Sequence, residues 1–289
     1  MTPMRQSRTR PITRRRSLGL SLMELMVGMT IGLVVSTAAV GTLVFMQSSS
    51  RASGESARLQ QDATLVFNLM GQYLRSSGSV GLSQSPDGGI GFTSRSVFDG
   101  IPGSGGAVVR GDLQGNREVL QSAISTLSNA GINGPQIDCL GNTVPTGVST
   151  VLTEFDWNSA DGSLRCRRAP VTGDPSGVMT PQPIVGQVAQ FVVHYGVRQA
   201  DGSLHYRLRP AVPATDWPLV HSVRVCLALT SQGPVDEFHA IYRDTPGLAF
   251  DDCDPTDALV IDRNTLSNDP QRRMYRLYRQ VFAVRSAAP

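Results

Sequence analysis

The chain contains no lysine; apart from its four histidines, its 26 basic side chains are all arginine. That excludes a Walker-type phosphate lysine, a Schiff-base lysine and a Ser-Lys dyad. H-E-x-x-H, C-x-x-C and G-x-S-x-G are also missing, and with them the common signatures of zinc hydrolases, dithiol redox proteins and serine hydrolases. The longest absence is of charge. From Leu25 to Ser50 no residue is charged, and 26 residues in a helix make ~39 Å, enough to cross a bilayer. Cysteine is scarce, with four in 289 residues.

The formal charge of +3 is unevenly spread. Residues 1–19 carry six arginines (Arg5, Arg8, Arg10, Arg14, Arg15, Arg16) and no acid. The remaining 20 arginines face 23 acids, so the rest of the chain is net −3 and is not a nucleic-acid binder by bulk charge. A basic N-terminus before an apolar run predicts a cytoplasmic N-terminus, with everything after the run outside.

A glycine, Gly19, closes the basic segment, and five residues later Glu24 stands at the head of the apolar run. A carboxylate inside a bilayer costs about 2.5–3.5 kcal/mol at its centre and less near its surface, so Glu24 needs a cationic partner that its own helix does not offer. A plain anchor or a secretory signal shares the length, but no A-x-A site follows Met46. Gly28, Gly32, Gly41, Ser36, Thr37, Ala38 and Ala39 leave small faces for helix contact.

The order Arg14-Arg15-Arg16, Gly19, Leu20, Glu24 and an apolar helix resembles the start of the type IV pilin family, with Leu20 where that family usually has Phe. Arg58 to Arg75 and residues 184–208 are similar to PilW-type minor pilins. The resemblance implies an α+β, pilin-like fold: a long N-terminal helix packed on a mostly antiparallel β-sheet domain. It also implies cutting between Gly19 and Leu20 by a prepilin peptidase, N-methylation of Leu20, and pairing of Glu24 with a neighbour's terminal amine. The implied partners are that peptidase, other minor pilins, the major pilin and the inner-membrane assembly platform. No cofactor, metal or nucleic acid is implied. The protein would start in the inner membrane, as a single pass, and end in a surface pilus. About 270 residues would remain after the cut, more than a usual major pilin has, which suggests an initiating or tip-complex subunit. A type II secretion pseudopilin, a membrane-anchored periplasmic enzyme and an adhesin or DNA-capture subunit are the alternatives.

The expected organisation is a leader over 1–19, a membrane helix over 20–46, an amphipathic continuation over 47–76 and a β-rich domain over 77–289. Residues 47–56 have weak helix propensity and predict a loosened or kinked link. Leu59, Ala63, Val66, Met70 and Tyr73 form one apolar stripe. Residues 76–116, rich in Gly and Ser, predict a long loop with short extended pieces. Strands are expected over 148–157, 190–197, 205–208, 223–229 and 274–284, with Asp161-Gly162 and Asp201-Gly202 in hairpin turns that place both residues at positive φ.

The four cysteines allow three pairings. The neighbours Cys139–Cys166 and Cys226–Cys253, equally spaced, are preferred, each worth ~3–4 kcal/mol in the chain-entropy model. His194, His205, His221 and His239 lie scattered in or beside strands and read as strand filler. Asp251, Asp252, Asp254 and Asp257 lack EF-hand spacing and read as a solvated loop. Arg272, Arg273, Arg276, Arg279 and Arg285 read as an exposed sheet face rather than a phosphate site.

Overall fold

The computed structural model describes residues 21–84, 87, 89–95, 98, 106–114, 117–125, 137–144, 150–169, 180–244, 253, 261 and 266–285. Gly19, Leu20 and the four aspartates around Cys253 lie outside them. The chain divides into two compact units, Met1–Ser50 and Arg51–Pro289. It is α+β, with one long helix and antiparallel sheets.

Helix α1 runs from Leu22 to Ser76. It crosses 47–56 unbroken, which corrects the expected loosened link. Propensity is a weak prior there and local packing overrides it: Ala52 is buried, and the Glu55 carboxylate accepts a hydrogen bond from the Gln232 N–H at 3.3 Å. Further on, Leu59, Ala63, Val66, Met70 and Tyr73 are buried, joined by Phe67 and Leu74. Phe67 tilts onto Phe282 at 6.3 Å, and Tyr73 meets Phe155 edge-on at 6.1 Å. The helix stops at Gly78. Its left-handed φ of +67° suits a C-terminal cap, and an added Cβ would lie 2.4 Å from the Arg285 carbonyl.

The strands are β1 (Val80–Gln84), β2 (Ile90–Arg95), β3 (Val109–Gln114), β4 (Arg117–Ser125), β5 (Thr150–Asn158), β6 (Ser163–Ala169), β7 (Gln182–Val185), β8 (Val188–Arg198), β9 (Leu204–Leu208), β10 (Val220–Pro234) and β11 (Arg273–Ala283). Helix α2 (Asp236–Asp244) follows β10. The described strands form a β1–β2 hairpin, a five-stranded sheet in the order β3-β4-β5-β6-β7 and a four-stranded sheet in the order β11-β10-β8-β9. Thus 76–116, expected as a long loop with short extended pieces, holds β1, β2 and β3. Strand β4 was not expected at all.

Both sheets and the C-terminal half of α1 share one core, which includes Met70, Leu120, Phe155, Phe191, Val225 and Phe282. The sheets interlock along β8. Strand β9 pairs only with His194 to Arg198, so the first half of that β8 edge is open to other partners. The five-stranded sheet supplies them. Val188 N–H donates to the Gly162 carbonyl at 2.8 Å, and the Trp157 indole N–H donates to the Val188 carbonyl at 3.2 Å. The Glu118 carboxylate accepts from the Val193 N–H at 3.1 Å. Buried backbone groups are satisfied in this way without another strand.

The two Asp-Gly loops differ from the expected turn. Gly162 and Gly202 take positive φ, but Asp161 and Asp201 do not. Each aspartate instead accepts hydrogen bonds from the backbone N–H and hydroxyl of the serine two residues on, Ser163 or Ser203. That side-chain turn closes a longer hairpin loop with a single left-handed glycine.

Disulfides join Cys139 to Cys166, with Cα atoms 6.3 Å apart, and Cys226 to Cys253, 5.5 Å apart. The first ties the 137–144 segment to β6. The second holds Cys253 against Val192 and Cys226 on the outer face of the four-stranded sheet.

Candidate assembly site on the N-terminal helix

From Ser21 to Arg51 every residue is exposed in the isolated chain. By length and composition α1 is the one helix among the described residues able to cross a membrane. Its hydroxyls are satisfied internally. Ser36 donates to the Gly32 carbonyl at 2.7 Å, Thr37 to Leu33 at 3.0 Å, and Thr42 to Ala38 at 2.9 Å. In an apolar medium these polar groups need nothing further. Glu24, in the first turn, is the only charged group between Leu22 and Ser50. An acid there complements the positive end of the helix dipole.

Gly28 and Gly32 have open space where a Cβ would stand. The helix places Glu24, Gly28, Gly32 and Ser36 at successive four-residue steps, along one ridge. Small residues at that spacing let a second helix approach closely, with the carboxylate at the head of the lane. Sequence reasoning names the glycines only as small; their four-residue step from Glu24 is legible in the sequence once a helix is assumed.

The other sequence candidates are dispersed. His194 is half-buried in β8 and His205 exposed in β9. His221 Nδ1 lies 2.9 Å from the Leu219 carbonyl in β10. The side chain of His239 lies outside the described residues. Among the described residues no three His, Cys, Asp or Glu side chains cluster as metal ligands. The C-terminal arginines work within the domain. Arg272 pairs with Asp236 at 2.9 Å, Arg273 with Asp269 at 3.0 Å, and Arg276 lies over the Phe238 ring at 5.0 Å.

Asp269 orders the turn into β11. Burial alone would raise its carboxyl, but hydrogen bonds from the Arg273 side chain and the Arg273 and Gln271 N–H groups outweigh burial and hold it below the usual range. Burial, with the Asp138 carboxylate nearby, pushes the Tyr73 phenol up to about 12. These groups are held in structural roles.

Residues 156–286 match the family described as Type IV Pilus-assembly protein W. No curated protein matches the chain significantly. Among solved structures, the chain is similar to the type IV-like pilin TTHA1219 from Thermus thermophilus, at 14% identity and a TM-score of 0.43, over 78% of this chain and 95% of that one. That likeness is too loose to assign a role. The match covers β6 to β11 and the last three residues of β5, and it ends just after β11. Over these residues the chain is similar to the PilW family of type IV pilus assembly proteins.

Proposed function

We propose that the chain initiates type IV pilus assembly, as a subunit of the tip complex. Prepilin peptidase cuts between Gly19 and Leu20 and methylates the new amine. The inner membrane stores the subunit with its N-terminus in the cytoplasm. Glu24 then registers it against a neighbour's terminal amine, while the Gly28–Gly32 ridge lets the helices close up. The β-rich domain meets other minor pilins, the major pilin follows, and the inner-membrane platform extracts the helix.

The observation that carries this reading is Glu24, the one charged residue of a helical stretch in which every residue from Ser21 to Ser50 is exposed. A carboxylate in a low-dielectric helix bundle is stable only when paired. The family's description favours a pilus over a secretion pseudopilus.

The test is surface piliation in cells carrying Glu24→Val. The expected result is normal processing with pilus number reduced about tenfold, the factor that 1.4 kcal/mol represents. Normal piliation contradicts the registering role. Replacing Gly19 with Trp should leave the leader in place, and a product of mature size would move the cut site.

A further inference from the structure

The four strands β11, β10, β8 and β9 contain no aspartate or glutamate. Side chains alternate across a sheet, and Tyr195, Val223, Val225 and Phe282 point into the core. The opposite face therefore carries His194, Arg198, Tyr206, Arg224 and Val281. Pairing register sets Leu208, His194, Arg224 and Val281 in one row, with Tyr206, Gly196, Ser222 and Ala283 in the next.

Arg224 is pre-organised. Its guanidinium lies 4.4 Å over the centre of the Tyr206 ring. Ser222 donates a hydrogen bond to the Tyr206 hydroxyl at 3.1 Å, fixing the ring. Gly196 makes room, since a Cβ there would meet Ser222 Oγ at 2.1 Å and the ring edge at 3.2 Å. No ion pair occupies Arg224 or Arg198 among the described residues, in contrast with Arg207, which meets Asp216, and Arg273, which meets Asp269. Apolar surface lies beside them: Val281 is 54% and Leu204 43% exposed.

We infer that this outer sheet face docks a carboxylate-bearing face of another pilin subunit in the filament. Charge complementarity selects the occupant. The strands of this face offer cations and no acid, and a guanidinium held over the Tyr206 ring presents its N–H groups to a carboxylate with little entropy left to lose. Exposed Val281 and Leu204 favour a protein over a bare polyanion, because Arg and Tyr beside apolar area is the composition of protein interface centres. This inference rests on the minor-pilin reading and adds the surface and the partner's chemistry to it.

The test uses the full chain in piliated cells, with a benzophenone amino acid replacing Val281 or Leu204, and Leu65 as an exposed control site. The expected adduct joins position 281 or 204 to an Asp- or Glu-bearing peptide of a different pilin-type subunit. Arg224→Gln and Arg198→Glu should each cut its yield about tenfold, the worth of one charge-assisted hydrogen bond, with both disulfides intact on a non-reducing gel. Absence of an adduct, a yield unmoved by either substitution, or an adduct with nucleic acid, lipid or a second copy of this chain overturns the inference. Failure of the minor-pilin reading is read separately, as an intact leader on the N-terminal peptide.

Discussion

Val34 and Val66 are the same residue in the same helix, yet Val34 is 64% exposed and Val66 not at all. The two halves of α1 solve one problem differently. In the second half, apolar residues recur at steps of three and four, and the chain's own sheets cover them. In the first half they occur on every side, and every residue from Ser21 to Ser50 is exposed. A helix apolar all round is stable only where its whole surroundings are apolar, as in a membrane or among other such helices. The difference locates folding energy in Arg51–Pro289 and leaves the apolar helix before it exposed.

The comparison can be broken most severely at Met70. Met70→Ala empties a fully buried site and should lower domain stability by about 2–5 kcal/mol, measured by urea unfolding in detergent. Val34→Ala in the first half should change the same midpoint by less than about 0.5 kcal/mol. Equal effects would erase the distinction. Next comes cross-linking. Both disulfides close loops of 27 residues, so opening either by Cys→Ser pairs should cost about 3 kcal/mol, and nearly the same for each. Gly78→Ala should cost on the order of 1–3 kcal/mol, from left-handed strain and the clash with the Arg285 carbonyl; a neutral result would mean the helix end can shift.

The smallest effect is a pH dependence. The folded Asp269 carboxyl titrates below its unfolded value of about 3.9, so its stabilisation is fully present above that pH. It is lost as pH falls through the folded value. Asp269→Asn should remove on the order of 1 kcal/mol at neutral pH and flatten the acid limb of the stability curve. An unchanged acid limb would remove Asp269 from the account.

Much of this was legible in sequence because periodicity reports burial. The Leu59-to-Tyr73 stripe and the alternation in β8 and β10 both follow from side-chain patterns. Strand β4 was not legible. Arg117-Glu118-Val119-Leu120-Gln121-Ser122 lacks clean alternation, because Val119 and Leu120 on opposite faces are both fully buried. The four-residue segment β7 is too short for a period. The Asp-Gly turn type failed for another reason: the aspartate side chain replaces a backbone hydrogen bond, and a dipeptide rule cannot see that. Arg224 on Tyr206 joins residues 18 positions apart across three strands, a neighbourhood that only the register creates.

The most direct test of the central claim is mass spectrometry of the N-terminal peptide, from cells with and without prepilin peptidase. The account predicts a peptide beginning at N-methylated Leu20 only when the peptidase is present. An intact leader in both strains, or a cut beyond Met46, would contradict it and leave α1 as an ordinary anchor or signal.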